Sequence, residues 1–272
     1  MCNIETRYLT KNPCYNTKRT ISVKGLMLHS VGCPQPNPLV FIKNWDKASY
    51  NSACVHGFIG EEAAYITLPV METPGKAHRG WHGGGASNNT HLGFEMCEPS
   101  QIKYTGGANF TCSNKAAAVA YVEKVTQNAV ELFAVLCAYH GLDPLADGVI
   151  ISHAEGHKRG IASNHGDPDH LWRQLGMDYS MDKFRADVAA RMNGGSEMPF
   201  TQADFDKMMD NWLARREQKD PADWSEEARK WAEESGIIYG DDKGRKMYQA
   251  FATREHMIMF IYRLAEKLGL VK

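Results

Sequence analysis

The sequence predicts an α/β domain of short strands and helices, followed by a smaller all-α segment. Three observations carry this. Apolar runs end in histidine, as Gly25-Leu-Met-Leu-His29 and Val149-Ile-Ile-Ser-His153 do, which is how a buried strand emerges into a loop. Between them lies one long stretch with helical periodicity. After the glycine-rich break Asn193-Gly-Gly-Ser-Glu197, strand signals fade and three helical ones remain.

Taken in order, residues 25–29 form a strand whose last residue, His29, enters the loop Ser-Val-Gly-Cys-Pro. Residues 38–48 are a short helix begun by Pro38, whose fixed φ suits a first turn. Val55 to Ile59 and Ala63 to Leu68 read as a hairpin across Gly60-Glu-Glu. His56 lies in its first strand, as a buried structural residue or as part of a site. Residues 75–85 are too glycine-rich for an element; they form a loop carrying Trp81 and His82, as a substrate wall or as a cover for the core. Thr90 to Cys97 is a strand. Its alternation puts Leu92, Phe94 and Met96 on one face and Gly93, Glu95 and Cys97 on the other. A glutamate in so apolar a strand costs desolvation unless it has a partner, so Glu95 is a functional candidate.

Residues 114–139 form the clearest helix. Val119, Val122, Val125, Ala129, Leu132, Phe133 and Leu136 make one apolar stripe. Ser113 or Asn114 caps its start, and Gly141 with Pro144 ends it. The chain then returns to a strand over Gly148–Ile151. Residues 153–167 read as a loop, because Gly156 and Gly160 each cost about 1 kcal/mol in a helix. Pro168 to Leu175 and Met181 to Met192 are short helices. Beyond a linker at 193–200, helices follow over Thr201–Glu217, Trp224–Ser235 and Thr253–Leu268. The last has Met257, Ile258, Phe260, Ile261, Leu264 and Leu268 facing a core.

Composition narrows the function. A net charge of −1 gives no basic field for nucleic acid. No run approaches the roughly 20 apolar residues of a membrane span. The first residues have no apolar signal-peptide core. The seven scattered cysteines read as reduced thiols, mostly core; Cys33, four residues after His29, is the one that could ligate a metal.

Chemistry concentrates in residues 150–170. Four of the eleven histidines, His153, His157, His165 and His170, fall within eighteen residues, with Glu155, Asp167 and Asp169. Two strands of like layout, each ending in His, predict that His29 and His153 converge over one sheet edge. His153 and His157 do not make the helical zinc-protease motif, since its glutamate would directly follow the first histidine.

Residues 26–191 resemble the zinc-dependent N-acetylmuramoyl-L-alanine amidases, which share a fold with the peptidoglycan-recognition proteins. Leu28-His-Ser30, Ser52–Ile59, Trp81-His82, Leu92-Gly-Phe-Glu95, Ile151-Ser-His153 and Asn164-His-Gly-Asp-Pro168 carry the likeness, in the family's order. It looks most like the phage and prophage endolysins of Gram-positive hosts. The resemblance implies a mixed central β-sheet flanked by helices over residues 1–192. It implies zinc held by His29, His153 and Asp167, with Glu95 and His165 catalytic. Where many members have a tyrosine before the strand histidine, this chain has Val55, followed by His56. Two histidines and a carboxylate leave a tetrahedral zinc one open position for water, whose proton Glu95 would accept. His56, Trp81, His82, His157, Lys158 and Arg159 would line the groove.

The implied substrate is bacterial peptidoglycan, cut between N-acetylmuramic acid and L-alanine of the stem peptide. The rivals are a peptidoglycan-binding protein without catalysis, and an amidase of soluble muropeptides. Presence of Asp167 argues for the enzyme. Residues 223–263 resemble a single S-layer-homology module, implying attachment to secondary wall polymers or, alternatively, oligomerisation. An endolysin without a signal peptide would collect in the host cytoplasm and reach the wall through a holin pore.

Overall fold

In a computed structural model, the structure describes residues 2–193, 212–214, 216–217, 219–241 and 244–271. The chain divides into two compact units, Met1–Ser196 and Glu197–Lys272.

The first unit is built on a six-stranded mixed sheet in the order β1-β5-β4-β7-β3-β10. These are β1 (Asn3–Thr6), β3 (Gly25–Ser30), β4 (Gly57–Ile59), β5 (Ala63–Ile66), β7 (His91–Met96) and β10 (Ile150–Ser152). β4 and β5 form the expected hairpin; every other neighbouring pair in this sheet is parallel. Two ribbons stand beside it: β2 (Thr20–Ser22) with β6 (Lys76–His78), and β8 (Ile102–Gly106) with β9 (Asn109–Cys112). Helices α1 (Pro13–Asn16) and α2 (Pro38–Trp45) precede β4, and α3 (Lys115–His140) links β9 to β10. After β10 come α4 (His153–Lys158), α5 (Asp169–Gln174) and α6 (Met181–Asn193).

Alternation along the central strands decides which face does what. Leu26 and Leu28 of β3, with Leu92, Phe94 and Met96 of β7, join one core. Val122, Val125, Leu132 and Phe133 of α3 and Phe184 and Val188 of α6 belong to the same core. Met27, His29, Gly93 and Glu95 therefore belong to the opposite face. Asn114 caps α3 through its Oδ1, and Gly141 ends it at φ 66°, in the left-handed region.

The structure corrects three expectations here. Residues 153–158 are a helix, not a loop. Ser152 and Glu155 form a capping box, with Oγ accepting from Glu155 N at 3.1 Å and Ser152 N donating to Oε2 at 3.0 Å. Arg185 of α6 then pins that carboxylate at 2.9 Å. Gly156 serves packing: a Cβ there would lie 2.7 Å from Cε of buried Met27. Residues 76–78, expected in a loop, are a strand because the distant β2 supplies their hydrogen-bonding partner.

The third correction lies in the second unit. It contains a 3-10 turn at Asp223–Ser225, α7 (Glu226–Glu234) and α8 (Arg254–Lys267), near the expected positions. The stripe on α8 does not face a core: Met257, Ile258, Ile261 and Leu268 are 54–64% exposed. No element among the described residues covers it. All but Asn193 of the expected linker at 193–200, and most of the helix at 201–217, fall outside the described residues; Asn193 ends α6.

Candidate metal centre and catalytic cleft

Parallel pairing brings the chemistry to one edge. β3 lies between β7 and β10, with His29 in register with Glu95 and Leu28 with Ser152. His29, Glu95 and His153 therefore leave the sheet together at strand C-termini. The chain beyond α4 returns Asp167 to the same place, and the Asp167–Pro168 peptide that follows is cis. A cavity of about 740 Å³ opens there, lined by His29, His82, Glu95, His153, His165 and Asp167 among others.

Hydrogen bonds fix which nitrogens face the centre. His82 Nε2 lies 3.0 Å from the carbonyl oxygen of His91, so it carries the proton and its Nδ1 accepts. That Nδ1 is 3.0 Å from His29 Nε2, which must donate. Burial pushes the pKa of both rings down, so both are neutral and His29 Nδ1 is left bare. His153 Nε2 donates to Ser163 Oγ at 3.1 Å, because that hydroxyl gives its own proton onward, to His165 Nδ1 at 3.0 Å or Gly83 O at 3.3 Å. His153 Nδ1 is bare as well.

The two bare nitrogens are 3.0 Å apart. Asp167 Oδ2 lies 3.4 Å from one and Oδ1 3.5 Å from the other. Three lone-pair groups thus converge, which only a positive charge between them reconciles. Among the described residues these three form the group that could hold a metal ion. Two imidazoles and a carboxylate suit zinc, and the outer hydrogen bonds from His82 and Ser163 orient its ligands. A proton in the same place serves Asp167 likewise. Burial opposes ionisation of that carboxyl, but hydrogen bonding shared with His153 and His29 outweighs it and holds its pKa well below the usual range. Ser30 N donates to Oδ2 at 3.2 Å.

Glu95 sits at the cavity floor with Oε2 enclosed and without a hydrogen-bond partner. Burial, and then the charges of Asp167 and Glu98, push its pKa well above the ordinary value. His165 stands on the exposed loop, its ring 4.5 Å from that of His153 and its Nδ1 3.0 Å from Ser163 Oγ. Trp81 also lines the cavity.

His56 is fully buried and lies outside the cavity lining. Its Nε2 donates to His78 O at 2.8 Å and its Nδ1 accepts from Gly93 N at 2.9 Å, so neither nitrogen is left for a ligand. His157, Lys158 and Arg159 are exposed and do not line the cavity either, because α4 replaces the expected loop. Arg159 pairs with Asp147. Cys33 stands outside the donor group. Ser163 and Tyr104, which line the cleft, had escaped the sequence reading. A Gly-Gly turn between alternating segments at 102–112 was a legible signal for the hairpin that carries Tyr104.

The fold and this cleft define a class. The family model described as N-acetylmuramoyl-L-alanine amidase matches residues 18–170, more than half the chain, and the chain belongs to that family. The Staphylococcus aureus hydrolase AmiA, solved in complex with its ligand, is similar in fold: TM-score 0.52 at 20% identity, over 73% of this chain and 88% of that one. A mutant endolysin from Bacillus subtilis aligns at TM-score 0.46 and 18% identity, over 69% of this chain and 99% of that one. No curated protein sequence matches the chain.

Proposed function

We propose that this chain is a zinc-dependent peptidoglycan amidase. It cuts the amide between the lactyl group of N-acetylmuramic acid and L-alanine of the stem peptide. Family membership supports the amidase reading. The observation that carries the mechanism is the set of two bare Nδ1 atoms and one carboxylate, beside a half-buried glutamate with an unpaired oxygen.

His29, His153 and Asp167 would hold the ion. When bound, zinc supplies Lewis acidity, which polarises a carbonyl and strengthens water as an acid. Glu95 takes the proton of the attacking water on its carboxylate and returns it to the departing amine of L-alanine. The enclosure that raises its pKa makes it able to hold that proton. His165 donates a ring N–H to the carbonyl oxygen as charge develops there. Trp81 supplies an apolar wall against which the substrate orients. Residues 197–272 would act as the wall-binding or pairing module, and host lysis by a phage or prophage is the setting that best suits the pair.

Purified Gram-positive sacculi test this. The expected result is chelator-sensitive release of new N-terminal alanine with no new reducing sugars. Sacculi bound but uncut at neutral pH with zinc present would leave a binding protein on an amidase fold.

A further inference from the structure

Three functional side chains lie on three arms of the cleft: His29 on β3, Glu95 on β7, and Asp167 on the loop before α5. Three residues beyond each lies one end of a hydrogen-bonded tie. Past His29, Gly32 N donates to Glu98 Oε1 at 3.0 Å. Past Glu95, Glu98 is itself the acceptor, with Oε2 taking the Tyr104 hydroxyl proton at 2.8 Å. Past Asp167, His170 Nε2 lies 2.7 Å from the same hydroxyl oxygen. Tyr104 has one proton and gives it to the carboxylate, so His170 Nε2 must donate. One phenol oxygen closes the tie between all three arms.

The tie stands on a fixed support. Tyr104 belongs to the β8–β9 hairpin, which Gln174 of α5 holds by a hydrogen bond to Ala108 O and another from Phe110 N at 3.1 Å. The Tyr104 ring lies 5.8 Å from Phe110 and 5.9 Å from His170. Stability alone does not account for the arrangement. Glu98 is fully buried, and a buried carboxyl is a poor stabiliser compared with an apolar residue of its size. What it does provide is fixed distance between arms that are far apart in sequence.

We infer that Tyr104 is a positioning residue for the metal centre, closing a Gly32–Glu98–Tyr104–His170 tie that holds the His29, Glu95 and Asp167 arms in register. The inference rests on the metal reading above. Asp167 is the ligand that needs the tie most, because it comes from a loop and not from a strand.

Tyr104→Phe keeps the ring and removes the tie. Zn²⁺ affinity of the metal-free full-length protein is measured by competition with a chromophoric chelator, beside the absorption spectrum of the Co²⁺ form and the thermal midpoint. The expected result is about tenfold weaker Zn²⁺ binding, in line with outer-shell substitutions, and an altered Co²⁺ spectrum. Thr105→Ala, an exposed position on the same hairpin, should leave both unchanged. A purely structural Tyr104 would lower the midpoint without moving affinity or spectrum, and that result overturns the inference alone. If Tyr104→Phe does not fold, Gln174→Ala serves: it loosens the hairpin's support and should weaken Zn²⁺ binding, and unchanged affinity there overturns the inference. A wild-type protein that takes up neither ion removes the metal reading and this inference with it.

Discussion

Glu95 and Glu98 lie three residues apart, and burial acts on both in the same direction. For Glu98 it raises the pKa to about 7 from an ordinary 4.5. The folded protein holds that proton more tightly than the unfolded chain does. Its stabilising effect is therefore complete below about pH 4.5 and is lost as pH rises through about 7, by about 3 kcal/mol. The metal-free wild type should lose thermal stability between pH 5 and 8 more steeply than Glu98→Gln; parallel curves would remove Glu98 as the source. Glu95 differs because it lines the cavity, which Glu98 does not. Glu95→Gln should bind Zn²⁺ as the wild type does while hydrolysing sacculi 10²- to 10⁴-fold more slowly, the usual worth of a general acid–base group. Asp167→Ala should lose both together, and a metal-replete Asp167→Ala protein would disprove its role as ligand. The sequence pointed to His29, His153 and Glu95 because each breaks a local pattern: a histidine ending an apolar strand, or an acid inside one. Asp167, in a polar loop, was legible only through the family resemblance. It did not show Ser163 or His82 as orienting groups. Their roles depend on which imidazole nitrogen carries the proton, and that is settled only across the fold.

At the scale of elements, legibility followed periodicity. β3, β7, β10 and α3 stand near where alternation or the 3.6-residue stripe put them, since each buries a face against the core. α4 does not read as a helix in the sequence because glycine propensity takes no account of its cap or its neighbour. The Ser152–Glu155 box supplies hydrogen bonds that a glycine count ignores, and Gly156 lets α4 approach Met27. Ser152 also precedes a proposed ligand. Ser152→Ala should cost about 1 kcal/mol of stability and weaken Zn²⁺ binding, because His153 is the first residue of the helix that the box holds. Stability loss with unchanged Zn²⁺ affinity would show that β10 alone sets the position of His153. Gly93 makes a similar point within a strand. A Cβ there would lie 2.3 Å from the His82 ring, so the smallest residue in β7 makes room for the group that orients His29.

At the scale of the molecule, the two units divide the work unequally. All residues of the proposed site lie in Met1–Ser196, whose core is closed by α3 and α6 against the sheet. The second unit, by contrast, exposes large apolar groups: Trp224 at 89%, Tyr239 at 62%, and the stripe on α8. Among the described residues no helix is long and apolar enough to cross a membrane, so a span does not account for that surface. Exposed apolar area of this kind marks a surface that meets something. If that something is the wall, a chain ending at Ser196 should keep Zn²⁺ binding and hydrolysis of a soluble muropeptide, yet sediment less with intact sacculi than the full chain. The comparison separates affinity from chemistry, because the soluble substrate needs only the cleft. Equal sedimentation of the two forms would reject wall binding by residues 197–272. A full chain that is larger in solution than one subunit, with the shorter chain monomeric, would then assign that surface to pairing between copies.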